Sequence, residues 1–446
     1  MSIAELTSST PLRALEQRLI SGMSTIERWF RLQWQEHTPP FYGSVDLRPA
    51  AFKLAPVDMN LYPGGFNNLS DDMVTAAVHA ARTAIELHCP EARNLLLIPE
   101  NHTRNQFYLT SVARLMRILR ATGVDVRLGS LSPDVTEPTP LIRSEGEALM
   151  LEPLVRHGAR IGLAGFDPCV IVLNNDLSGG IPDVLRGLDG QTLLPPLNAA
   201  WAVRRKSQHF AIYDEVVAEF AESLGFDPWL INPYFARCGG VDFHAREGEE
   251  QLADSVDQVL TRVRAKYREL DIDDAPFVIV KADAGTYGMG IMTVRDAADV
   301  RELNRRQRNK MAVVKDGLQV RDVIIQEGVP TIERVDGAVA EPVVYMMDRH
   351  VVGGFHRVNR ERGTDENLNA PGMHFVPWEM HAGCVADALP FTGSCSLPTD
   401  ASGDRLVNHF YTYGVVARLS LLAASVELER TMHLGSANVA QPALEA

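Results

Sequence analysis

Phe277–Val294 reads FVIVKADAGTYGMGIMTV, and the chain is organised around it. Phe277, Val278, Ile279 and Val280 form an apolar, β-branched run, the pattern of a buried strand. The run ends on Lys281, a loop with Gly285, Thr286, Gly288 and Gly290 follows, and Ile291–Val294 resumes a strand-like pattern. This order predicts a hairpin whose tip carries little side-chain bulk. Glycines let backbone N–H groups approach a polyphosphate closely, and a lysine at the root adds positive charge. Other glycine loops do not fit. A dinucleotide fingerprint needs G-x-G-x-x-G opening a helix, whereas here G-x-x-G-x-G precedes a strand. G-K-[ST] is absent, as are H-R-D and D-F-G. Taken alone, the loop also fits an ordinary hairpin without a ligand.

The stretch downstream supplies partners. Val323, Ile324 and Ile325 predict a second buried strand, ended by Gln326-Glu327-Gly328-Val329, a hinge suited to a base or ribose. Val343–Met347 and His350–Phe355 predict a hairpin turned by Asp348-Arg349, with His356 and Arg357 at its end. Asp365, Glu366, Asn367 and Asn369 follow within five residues. Carboxylate and amide oxygens are the hard donors that Mg²⁺ prefers, and Arg357 suits a transferring phosphoryl group. His350, His356, His374 and His381 fit no zinc spacing.

The chain has 446 residues, enough for two or three domains. Its formal net charge of −14 argues against nucleic acid or an anionic membrane as partner. Five widely spaced cysteines form no C-x-x-C pair, so neither a disulfide framework nor a zinc site is expected. That pattern, with no basic-then-apolar signal at the N-terminus and no membrane span, suits a cytoplasmic protein. A homo-oligomer is left open.

Four segments are expected. Residues 1–71 hold an N-terminal helical region and, over 41–71, an irregular segment punctuated by Pro49, Pro56, Pro63, Gly64 and Gly65. Long irregular segments of this kind are often substrate loops. Arg48, Lys53, Asn67 and Asn68 are its candidate recognition residues. Over 72–200, helices at Met73–His88 and Thr103–Thr122 alternate with strands at Asn94–Ile98, Val124–Leu128 and Cys169–Leu173, which predicts an open, parallel α/β domain. Its first strand-to-helix join carries Asn101 and Arg104, where an amino-acid carboxylate would suit a helix N-terminus. Residues 201–270 form a helical linker. Residues 271–446 hold the glycine hairpin and close on an amphipathic helix over Leu406–Met432.

This order of parts resembles the ATP-grasp ligases. The stretches SVDLR, FKLAPVD, NLYPGGFNNL, ENHTRN, VKADAGTYGMGIM, IIQEGVPT, EPVVYM and ENLNAPGMHF resemble, more closely, the proteobacterial glutamate–cysteine ligase family of that superfamily. The resemblance implies an α/β (α+β) fold, an open parallel-sheet domain followed by an ATP-grasp-like pair. It implies ATP and Mg²⁺, with L-glutamate and L-cysteine joined through a γ-glutamyl phosphate. Lys281, Gly285, Thr286, Gly288 and Gly290 would hold phosphates, Gln326, Glu327 and Val329 would face the base, and Arg357 would steady the phosphoryl group. The E-x-N metal strand of many ATP-grasp enzymes is missing after Gly372; Glu341, Asn367 and Asn369 stand in as metal ligands. A ligase for another acid and amine, or a nucleotide-binding module without catalysis, are the alternatives.

Overall fold

A computed structural model of the chain describes residues 10–102, 104–285, 290–312, 319–378 and 409–438, with side chains to 432. The fold is mixed α/β, with two larger antiparallel sheets, one largely parallel sheet and a two-stranded antiparallel ribbon, Val155–His157 with Arg160–Gly162.

The Phe277–Val294 stretch forms the expected hairpin. Strands Val278–Ala282 and Ile291–Val294 pair antiparallel, Val278 opposite Val294 and Lys281 opposite Ile291. Strand Asp322–Glu327 pairs on the other side, and Phe235–Gly239 completes a four-stranded sheet. Helix Glu249–Glu269 covers it with Leu252, Val256, Val259, Leu260 and Val263, a buried stripe at helical spacing. Gly285 sits at φ 92°, a left-handed conformation that glycine takes without strain. Gly328 ends the sheet where a Cβ would collide with the Phe277 ring. Thr286 and Gly288 lie outside the described residues.

A second antiparallel sheet runs in the order His374–Pro377, His350–Asn359, Ala338–Met347, Tyr42–Pro49, Leu54–Asn60. Its central hairpin turns at Asp348-Arg349 as expected. Residues 41–60, however, are not a loop. Strands alternate their faces with period two. In Ser44-Val45-Asp46-Leu47-Arg48 the polar members line a cleft, while Val45 and Leu47 enter the main core. A polar face that fronts a cleft reads in sequence like an unpatterned surface, and Pro49 and Pro56 strengthen that impression. Beyond the short 50–53 connection, 61–70 is irregular, with a single 3₁₀ turn at Phe66–Asn68.

The parallel sheet holds Thr192–Leu194, Val170–Asn174, Asn94–Pro99, Asp125–Ser130 and Leu149–Pro153, with Thr139–Leu141 antiparallel at the edge. Helices Asp71–His88 and Gln106–Arg120 pack on each other within the same core. The second helix starts three residues later than its pattern suggests, because Asn105 caps it by accepting from Tyr108 N at 3.2 Å. Cys89, at the end of the first helix, and Cys169, just before strand Val170–Asn174, are disulfide-bonded across 80 positions. That corrects the expectation of unpaired thiols: helix-to-sheet packing brings their Cα atoms to 6.6 Å. Cys238 is free and buried.

The closing helix, His409–Asn438, is not amphipathic. Val415, Val416, Ala417, Leu419, Leu421, Leu422, Ala423 and Ala424 are all buried, as expected of a helix enclosed by its neighbours. It lies against strands Tyr42–Pro49 and Leu54–Asn60 and helix Lys206–Leu224. Among the described residues, no helix is long and apolar enough to cross a membrane.

Candidate functional site

The three sheets meet around one cleft of about 850 Å³. The glycine hairpin contributes Lys281 and Gly285, and the hinge contributes Gln326, Glu327 and Val329. The opposite sheet contributes Asp46, Arg48, Asp58, Glu341 and Arg357, and the 360–372 loop contributes Asn367 and Asn369. Asn67 and Asn68 lie on the same wall as Tyr62 and Gly65.

Lys281 projects from its strand into the cleft. Its Nζ donates to Val57 O and, at 2.9 Å, to Gln326 Oε1. Burial pushes its ammonium down to about 8, although Asp58 pulls the other way. Asp58 bonds Lys206 Nζ at 2.5 Å. Burial opposes its ionisation, but Lys206 and Lys281 outweigh that and hold the carboxyl at about 2. Lys206 is placed by the glycine loop itself. Asp283, 1% exposed, accepts from Ser207 N and Ser207 Oγ, both at 2.7 Å, and fixes the first turn of helix Lys206–Leu224.

Arg357 sits in a neighbouring charge cluster, joined to the first through Asp46 and Asp58, which lie opposite each other on paired strands. It pairs with Asp46 at 2.8 Å and with Glu341, whose other oxygen takes Arg48 Nε at 2.6 Å. Burial works against the Arg357 charge, but Asp46 and Glu341 fix it firmly. Arg357 Nε is buried and has no hydrogen-bond partner among the described residues, so the cluster leaves that guanidinium N–H for an incoming acceptor. Arg48 also donates to Thr364 O at 2.9 Å and Glu366 O at 2.7 Å, clasping the 360–372 loop. Asn359 holds the same loop from inside, its Nδ2 reaching Leu368 O, Ala370 O and Pro371 O.

Several expected recognition residues take other places. Lys53 does not line the cleft. It is fully buried, its Nζ 3.0 and 2.9 Å from the two Glu327 oxygens and 3.9 Å from the Trp229 ring centroid. Burial pushes this ammonium down to about 8 against the pull of Glu327. Glu327 also accepts from Trp229 Nε1 and Tyr234 N, so its carboxylate is committed internally. Lys53→Met therefore removes one half of a buried pair and is expected to destabilise the protein by about 3–5 kcal/mol. Denaturant unfolding measures it; a midpoint equal to the parent's would contradict the pairing. Asn101 and Arg104 are exposed and outside the cleft, and from the same join it is Glu100, His102 and Asn105 that line it. Gly290 is buried at the root of the hairpin, its carbonyl accepting from Ala282 N at 3.2 Å.

The expected metal set does not fit as placed. Both Glu341 oxygens are taken by guanidinium groups, and Asn367 Oδ1 accepts from Asn369 N at 3.0 Å. Among the described residues, no three His, Cys, Asp or Glu side chains come together as a metal site. His381, one of the histidines set aside above, lies outside the described residues.

The sequence reading missed Asp46, Asp58, Tyr62, Glu100, Asp176 and Lys206, all of which line the cleft. For Asp46 and Asp58 the signal was the strand alternation; for Asp176 it was the Asn174-Asn175-Asp176 run at a parallel strand's carboxyl end.

A model of the glutamate–cysteine ligase family matches residues 16–428. The chain belongs to the glutamate–cysteine ligase family. It is a ligase that forms γ-glutamylcysteine, of an ATP-dependent class that generally needs a divalent metal. A crystal structure from Methylobacillus flagellatus KT at 1.90 Å, described as "Putative gamma-glutamylcysteine synthetase", is similar to it at 58% identity and a TM-score of 0.84, over 97% of this chain and 99% of that one. No curated protein matches.

Proposed function

We propose that the cleft binds ATP at its hairpin end and runs an ATP-grasp reaction. ATP phosphorylates the γ-carboxylate of glutamate and becomes ADP, the cysteine amine attacks the acyl phosphate and displaces phosphate, and γ-glutamylcysteine, ADP and phosphate leave. The observation that carries this is that Lys281, Gly285 and Arg357 line one cleft, with Asp46 and Asp58 between the two cationic side chains. Phosphoryl transfer needs mainly positioning and charge stabilisation, and the two clusters supply both. Phe277, Ile279, Ile291 and Val329 give an apolar slot for a base. Because the Glu327 carboxylate is committed to Lys53, the hinge would contribute its shape and backbone there. Gln326 Nε2, buried without a hydrogen-bond partner among the described residues, adds a donor beside Lys281. Asn67 and Asn68 would contact amino-acid carboxylate oxygens.

On this reading the sheet containing Phe235–Gly239 and the sheet containing His350–Asn359 are the two jaws of the grasp, and 72–200 is the preceding α/β domain. Mg²⁺ would enter with the nucleotide, whose phosphates provide most of its ligands; no step is assigned to it. The setting is the cytoplasm, where ATP is abundant. ADP release assayed across amino-acid pairs tests the reading: glutamate with cysteine is expected to give the highest turnover, and turnover with a different pair only would overturn it.

Lys281 gives a pH signature. Its charge is complete below about pH 8 and is lost above it. Since kcat/KM reports groups of the free enzyme, kcat/KM for ATP is expected to fall about tenfold per pH unit above about 8. In Lys281→Arg, whose guanidinium stays charged, that limb should disappear. An identical alkaline limb in both proteins would remove Lys281 from this role.

A further inference from the structure

One part of the cleft wall has a chemistry that the ATP reading does not use. The carboxyl ends of strands Asn94–Pro99 and Val170–Asn174 place Glu100 and Asp176 on the cleft wall beside Tyr62. Asp176 is 2% exposed, and its backbone N donates to Glu100 Oε1 at 2.9 Å, which locks the two acids together. Tyr108 fixes the base of the corner: its hydroxyl donates to Asn174 O at 3.1 Å and accepts from Glu100 N at 2.7 Å. Tyr62 is 7% exposed, and its hydroxyl has no hydrogen-bond partner among the described residues. Burying a hydroxyl without a partner is costly, so this one points to a ligand.

From these groups we infer that Tyr62, Asp176 and Glu100 form the subsite for the α-ammonium of glutamate. The inference rests on the ligase reading and assigns one of its substrates to a place. Two carboxylates and a hydroxyl oxygen accept hydrogen bonds from a three-donor ammonium and balance its charge. The cysteine amine is excluded by its own chemistry. It must attack unprotonated, and a site that stabilises the protonated form suppresses that. The glutamate α-ammonium stays protonated throughout, so an acidic corner holds it without cost to the reaction. The corner connects to the phosphoryl end through one side chain. Tyr345 hydrogen-bonds Gly64 O, two residues from Tyr62, and feels the charges of Asp46 and Arg357. Glutamate lying along this wall presents its γ-carboxylate toward Arg357.

Glutarate, which is glutamate without the amino group, is the probe. With cysteine as acceptor, the parent protein is expected to prefer glutamate over glutarate at least about a hundredfold in kcat/KM. Asp176→Asn should lower that ratio by about tenfold or more, chiefly through the glutamate KM. Tyr62→Phe, which removes one oxygen, reads the same ratio if Asp176→Asn does not fold. A purely structural role would slow both acids alike and leave the ratio unchanged, which overturns the subsite while the ligase reading stands. Absence of product from the parent protein with glutamate overturns both.

Discussion

Lys281→Met is expected to lower kcat/KM for ATP by about 10²- to 10³-fold, the usual loss when one preorganised charge is removed from a reacting centre. Methionine keeps the apolar stem that packs in the cleft wall. What disappears is the ammonium shared by Gln326 Oε1 and Val57 O, next to Asp58. The fold should survive, because Asp58 retains Lys206 and loses only its second cation. Steady-state kinetics with ATP varied, beside a thermal melt, checks it. Near-parent kcat/KM in a folded protein would show that the hairpin lysine does not meet the nucleotide.

Arg357 should give the second large effect, in two separable parts. In Arg357→Ala, Asp46, half-buried, loses its partner, and the buried Glu341 keeps only Arg48. Breaking a buried pair on one side typically costs about 3–5 kcal/mol, so this variant is expected to unfold early in denaturant. Arg357→Lys keeps the charge but loses the planar fork, and with it the Nε–H that no protein group uses. We expect that variant to remain folded and to turn over about 10³-fold more slowly, in line with arginines that stabilise phosphoryl transfer. Parent-like kcat in Arg357→Lys would assign Arg357 to structure alone.

Part of this was legible in the sequence, and the reasons are local. The Phe277–Val294 hairpin and the Asp348-Arg349 turn are written in contiguous β-branched runs with tight turns between them, which need no distant partner to interpret. Strands Tyr42–Pro49 and Leu54–Asn60 were hidden because half of each faces a polar cleft instead of solvent or core. The place of Lys53 was unreadable for a different reason. Its partner Glu327 is 274 positions away, and nothing near either residue announces the pairing. The Cys89–Cys169 bond is likewise a consequence of packing, since spacing alone does not give connectivity. At the join after strand Asn94–Pro99, the sequence suggested a site for an anion on Asn101 and Arg104. The structure leaves those side chains exposed and puts Glu100 on the cleft wall instead.

The central claim is that ATP and glutamate react directly in this cleft, γ-carboxylate oxygen to γ-phosphorus. Glutamate labelled with ¹⁸O in its γ-carboxylate, turned over with ATP and cysteine, tests it most directly by mass spectrometry of the released phosphate. The account predicts one ¹⁸O atom in each phosphate formed. Product formed with unlabelled phosphate would contradict it.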